Sequence, residues 1–140
     1  MIVLDTNVVS EPLNPQASPT VQAWLDRQPA ETLYLAATVL SELIFGIEVL
    51  PEGKWKAGLE VAMRALLARI FEDRFLPFER EAAETYAVLA SRSRSRGLPI
   101  SVPDCQIAAI AAVHGFTVAT RDTAPFQAAG VRVINPWKGR

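Results

Sequence analysis

Four acids stand at comparable junctions of this 140-residue chain. Asp5 follows the apolar run Ile2-Val3-Leu4, and Asp122 follows the apolar run ending at Ala119, after Thr120 and Arg121. Glu42 and Asp104 fall in the early turns of helical stretches that Thr38 and Ser101 are placed to cap. If the apolar runs are parallel strands, strand C-termini and helix N-termini share one sheet edge, and the four carboxylates can converge there. Acids gathered so closely repel one another without a counter-ion. Mg²⁺, or Mn²⁺ in its place, takes oxygen ligands, keeps several waters and brings phosphate with it. Such a site activates water for attack on a phosphodiester, so hydrolysis of a nucleic-acid backbone is the expected chemistry. Thr6, Asn7 and Thr120 can orient metal waters or carboxylates by hydrogen bonding, and the helix N-termini at that edge add donors for phosphate.

Each acid also has a plainer reading. Asp5 can be the polar stop of a strand, and Glu42 an exposed glutamate near a helix start, favoured by the dipole. Asp104, three residues after Ser101, can be a capping-box acid. The weight for chemistry comes from the recurrence of the same placement.

The elements that must position these acids read as follows. After the first strand, Val8 to Asn14 holds a short helical turn interrupted by Pro12 and Pro15. Ser18 caps a helix with Pro19 in its first turn and Val21, Trp24 and Leu25 as its apolar stripe. Leu33 to Ala36 is a second strand, and Thr38 caps a helix over Val39 to Leu50 with Leu40, Leu43, Ile44 and Ile47 toward the core. A long helix lies within Gly53 to Phe71, striped by Leu59, Met63, Leu66, Leu67 and Ile70. The Pro77-containing stretch Phe75 to Phe78 is extended and at an edge. Glu79 to Arg96 is helical, packing through Ala82, Ala83, Tyr86, Leu89 and Ala90 and stopping at Gly97. Its Arg92, Arg94 and Arg96 either complement the helix dipole or contact phosphate. A helix from Ser101 to Gly115 precedes the strand Phe116 to Ala119, and Val131 to Ile134 is the last strand. Strands separated by helices imply an α/β fold with a largely parallel sheet, and the length suits one domain over residues 1–140.

Composition narrows the function classes. With half of its residues hydrophobic, 21% charged and a net charge of −1, the chain is expected to be globular, and any basic surface must be local. The lone Cys105 and lone His114 exclude an internal disulfide and a Cys/His zinc centre. His114, at a helix end, reads as structural or solvent-facing. No window approaches the roughly 18 apolar residues of a membrane span, and the N-terminus has no signal-peptide pattern, so a cytoplasmic location is expected. Trp24, Trp55 and Trp137 read as packing residues, with Trp137 in the tail 135–140 also able to meet a partner.

In combination, Asp5-Thr6-Asn7, Ser41-Glu42-Leu43 with Gly46, Pro103-Asp104 with Ile107-Ala108-Ala109, and Thr120-Arg121-Asp122 resemble the motifs of PIN-domain ribonucleases, particularly VapC-type toxins. The similarity covers nearly the whole chain. It is strongest toward FitB and plasmid-stability proteins, through the stretches Val3 to Pro12, Val118 to Thr123 and Asn135-Pro136-Trp137. The resemblance implies a three-layer α/β/α PIN fold, a homodimer, and a metal-dependent endoribonuclease acting on RNA. It implies a cognate antitoxin whose tail enters the acidic cleft, and operator DNA bound through that complex. By position, it assigns Asp5, Glu42, Asp104 and Asp122 to the acidic metal site and Thr120 to a supporting role. The competing reading is an interaction module whose acidic pocket receives a basic antitoxin side chain, the pair binding operator DNA. A phosphotransferase with Asp5 as nucleophile is disfavoured, because Asn7 stands where a second aspartate is wanted and Lys138 is the only lysine in the second half.

Overall fold

The apolar runs form five short strands: β1 (Ile2–Leu4), β2 (Leu33–Ala36), β3 (Phe75–Leu76), β4 (Thr117–Ala119) and β5 (Val133–Ile134). In the computed structural model, which describes residues 1–138, they make one sheet of order β3-β2-β1-β4-β5 in which every pairing is parallel. Gly139 and Arg140, the end of the tail considered as a partner contact, lie outside the described residues. Flanking the sheet are α1 (Thr6–Val9), α2 (Pro19–Arg27), α3 (Ala37–Glu48), α4 (Lys54–Phe71), α5 (Arg80–Ser95), α6 (Val102–His114) and α7 (Thr123–Ala128). The α/β class and the parallel sheet are as the sequence led us to expect.

A sheet covered on both faces needs apolar residues at consecutive positions, not alternate ones. Val3, Leu4, Leu33, Leu35, Ala36, Val118 and Ala119 are accordingly all buried, and Val39, Ile107, Ile110 and Phe126 pack around them. The chain runs outward from β1 through β2 to β3, then crosses back to place β4 on the other side of β1. The gap between the C-terminal ends of β1 and β4 is therefore a topological switch point, where open parallel sheets leave a crevice. Among the described residues, no helix is long and apolar enough to cross a membrane.

Several local expectations require correction. Thr38 does not cap α3: the helix begins directly after β2 with Ala36 as its N-cap and no side-chain capping bond. Thr38 lies in the first turn, where its hydroxyl donates instead to Gln106 Oε1 at 3.0 Å, tying α3 to α6. Ile44 is exposed, because the core stripe of α3 is carried by Val39, Leu43 and Ile47, and Ala83 is likewise exposed on α5. Trp55 stands in solvent at the start of α4 and is not a packing residue, whereas Trp24 is buried. No element is expected from the sequence over residues 123–130, yet they hold the short helix α7, with Pro125 in its first turn, where proline is tolerated.

Other boundaries follow their signals. Ser18 Oγ accepts from the Val21 amide at 3.4 Å, and Pro19 is the first residue of α2. Gly115 ends α6 with φ +69°, a left-handed position that an L side chain resists. Gly115→Ala is expected to cost about 1 kcal/mol through that backbone preference. Phe126→Ala, emptying a fully buried site, is expected to cost about 3–5 kcal/mol. Urea denaturation with an unchanged slope checks both, and a smaller loss for Phe126→Ala than for Gly115→Ala contradicts this account of the core.

Candidate active site

The register of the two central strands builds the site. Leu4 pairs with Ala119, so Asp5 and Thr120 emerge side by side one residue later, and the Asp5 amide continues the ladder by donating to Ala119 O at 2.9 Å. The Thr120 amide donates to Ile134 O at 2.9 Å, which fixes that residue to β5 as well. With its backbone held on both sides, Thr120 points a fully buried hydroxyl at Asp5, donating to Oδ2 at 2.8 Å. The Thr120 hydroxyl oxygen also accepts from the Asp122 amide at 3.0 Å. One threonine thus orients the acid on β1 and the turn that carries the acid after β4.

The other oxygen of Asp5, Oδ1, accepts from the Thr6 amide at 2.8 Å. The Thr6 hydroxyl then donates to Glu42 Oε1 at 2.7 Å, linking the start of α1 to α3. Asn7 Oδ1 accepts from the Arg121 amide at 3.3 Å, so the segments after β1 and β4 are stitched a second time. Asp104 sits in the first turn of α6, where Ser101 Oγ accepts from its amide at 3.3 Å. Asp122 is the N-cap of α7 but makes no capping bond with its side chain. The reason is partly local: an N-cap oxygen seeks the second or third amide of its helix, and the third residue here is Pro125, which has none.

The electrostatics show which acids are neighbours. Burial holds the Asp5 carboxyl above its ordinary pKa, and the negative charges of Asp104 and Glu42 push it the same way, while hydrogen bonds from Thr120 and Thr6 oppose the shift. Asp104 is also raised, mainly by burial and further by Asp122, with hydrogen bonding to Ser101 opposing. Asp5 is thus within electrostatic reach of Asp104 and Glu42, and Asp104 within reach of Asp122. Among the described residues, however, no three acids approach closely enough to grip one ion together. The donor set is all oxygen, the chemistry of a hard cation. A hard cation here would touch one or two of these carboxylates and keep much of its own water, as Mg²⁺ commonly does.

Groups outside this cluster contribute less to chemistry. Cys105 is buried and its thiol is pushed up by burial, the wrong direction for a nucleophile. His114 is exposed at the end of α6 with its ring 5.3 Å from that of Phe116. Arg92, Arg94 and Arg96 are exposed, and Arg96 Nη1 donates to Ala128 O at 3.4 Å, where it caps α7. Sequence reasoning missed the bond between Thr38 and Gln106 and the stacking of the Arg121 guanidinium over the Trp137 ring at 5.1 Å. Neither has a spacing signal, since both join segments far apart or at the chain end.

Beside the site, a groove of about 290 Å³ runs from Thr6 and Glu42 along Leu43, Gly46, Trp55 and Met63. Its walls are mainly apolar, in contrast to the acid cluster at its end.

Comparison with known proteins fits this geometry. The PIN-domain family profile matches residues 2–131. VapC ribonuclease Y4jK of Sinorhizobium fredii is 44% identical over 99% of both chains, and toxin FitB of Neisseria gonorrhoeae is 45% identical over 98% of this chain and 99% of its own. The solved structure of FitAB bound to an IR36 DNA fragment superposes with a TM-score of 0.93 at 45% identity, covering 98% of this chain and 96% of that one. The sheet order, the acids at its switch point and these similarities establish that the chain belongs to the PIN-domain family.

Proposed function

We propose that the protein is a divalent-metal-dependent endoribonuclease, the toxin of a toxin-antitoxin pair, that hydrolyses RNA phosphodiester bonds. The observation that carries this reading is Asp5: a carboxylate buried at the switch point, oriented on both oxygens and facing two further acids. Burying an acid beside like charges is costly, and a cation relieves the cost. Asp5, Glu42, Asp104 and Asp122 are the residues assigned to surround it, one or two in direct contact and the others through the ion's own water, with Mg²⁺ the first choice and Mn²⁺ a substitute. When bound, the ion supplies Lewis acidity and a lowered pKa for water.

The chain's own groups do the rest. Thr120 and the Thr6 amide fix the plane of the Asp5 carboxylate, and the Thr6 hydroxyl fixes Glu42. Asp104 stands on the first turn of α6 and Asp122 immediately ahead of α7. Fixed carboxylates hold and orient water on one side of a phosphate without reorganising during reaction. The names of the relatives, a VapC ribonuclease and a toxin, agree with this chemistry.

A second reading is favoured by one specific observation, the 45%-identical FitAB structure on DNA. On this second reading, the acid cluster of the present chain chiefly receives a basic side chain of an antitoxin, and the pair binds operator DNA. The two readings differ in what the acids are for. Asp104→Asn is expected to lower RNA cleavage by at least about a hundredfold while leaving the fold and DNA binding with a partner intact. Purified chain with total RNA should cleave with Mg²⁺ or Mn²⁺ and stop on chelation. Cleavage unaffected by EDTA and by Asp104→Asn excludes the metal site, and absence of cleavage with intact partner and DNA binding supports the second reading.

Stability gives an independent check. A carboxyl whose folded pKa is raised binds its proton more tightly in the folded chain than in the unfolded one. Its ionisation therefore destabilises the fold as pH rises from about 4, the unfolded value, through the raised one. For the metal-free chain, Asp5 and Asp104 both contribute in this sense. Asp5→Asn removes that titration at the expense of one buried acceptor, so the metal-free melting temperature is expected to fall less between about pH 4 and neutral pH than the parent's, with cleavage abolished. Added Mg²⁺ should stabilise the parent and not the variant; equal stabilisation of both contradicts the role given to Asp5.

A further inference from the structure

Arg121 stands between Thr120, whose hydroxyl holds Asp5, and Asp122. A cation at the heart of an acidic cluster ordinarily folds onto the nearest carboxylate, and there it would neutralise the site and compete with a metal. Arg121 does not. It makes no ion pair with any acid among the described residues, and its guanidinium lies over the indole of Trp137, 5.1 Å from the ring centroid.

Both ends of this arrangement are anchored. The Arg121 amide donates to Asn7 Oδ1 at 3.3 Å, which fixes the backbone beside Asp5 and Thr6. The Trp137 amide donates to Asn135 Oδ1 at 3.0 Å, and the turn that carries it (Pro136–Lys138) packs on α2. A guanidinium held over a ring by one of its sides keeps N–H groups free on the others, and its planar fork can match two phosphate oxygens at once. Arg121 is itself exposed, so the fork is accessible to a ligand.

We propose that Arg121 contacts a phosphate of the RNA flanking the scissile bond, and that Trp137 is the positioning residue that keeps the guanidinium off the carboxylates and aimed outward. The inference rests on the ribonuclease reading and adds to it the group that binds the polyanion. An acid cluster needs such a group, because four carboxylates repel a phosphate backbone wherever the cation does not screen them.

The test uses full-length chain and a fluorescently labelled, mixed-sequence single-stranded RNA. Cleavage in Mg²⁺ gives KM and kcat, and anisotropy in an Asp104→Asn background gives binding across a range of salt. Arg121→Ala is expected to raise KM about tenfold with kcat within about twofold, as for loss of one charge-assisted contact. The log–log salt dependence should become shallower by about 0.7, the loss of one phosphate contact on a single strand. Arg121→Lys should keep the slope and recover only part of the affinity. Trp137→Leu should mimic Arg121→Ala, and Trp137→Phe, which keeps a ring, should rescue it, melting temperatures being compared throughout. Arg80→Ala, an exposed arginine in the first turn of α5, should change neither quantity. An Arg121→Ala chain with parental KM and salt slope, or one impaired only in kcat, overturns the inference while leaving the nuclease intact. A parent that neither binds nor cleaves RNA removes the ribonuclease reading first and this inference with it.

Discussion

The hydrogen bond from Thr120 to Asp5 joins residues 115 positions apart and is buried on both sides. The rest of the site depends on it. It exists because β1 and β4 are parallel neighbours in a register that brings their next residues abreast, and because β5 holds Thr120 from the other flank. A hydroxyl suits this position better than an amide or a charge would. It can donate to a carboxylate and accept from an N–H at once, so it leaves no buried polar atom unmatched.

The acid cluster is thus an unfavourable arrangement maintained by favourable surroundings. The apolar strands and the helices that cover them supply the cohesion, and the C-terminal edge of the sheet carries the strain of like charges. Placing the acids on four different elements limits how far they can drift apart. Asp5 follows a central strand, Glu42 is tied by Thr6, Asp104 is set by the Ser101 cap, and Asp122 is pinned through its backbone. Functional sites commonly retain such local conflict where a ligand resolves it.

How much of this could be read from the residues alone depended on the range of the interaction. The strands and the Ser18 and Ser101 caps are local patterns and were legible, as was the common edge for the acids, which follows from parallel strands alternating with helices. The roles of Thr6 and Thr120 as orienting groups were also legible in kind, since a hydroxyl beside an acid suggests it. Thr38 misled because a threonine two residues past a strand looks like a cap, whereas β2 runs into α3 without a loop. Ile44 misled because apolar residues at helical spacing are assumed to face inward, and only the packing of α3 against its neighbours decides which of them do; Trp55 misled by its residue type, since it stands exposed at the start of α4. The six residues of α7 are too short a run to show a helical period and carry no signal of an element. The stack of Arg121 on Trp137 has no sequence signature at all.

The long separation between Asp5 and its partner on β4 also sets an order of events during synthesis. A growing chain can make β1, β2 and β3 and the helices between them while Asp5 still lacks the neighbour that orients it. The centre of the sheet stays open on one side until β4, which follows β3 by two helices, has emerged from the ribosome. Copies that stop short of β4 therefore carry Asp5 and Glu42 without the hydroxyl that orients Asp5.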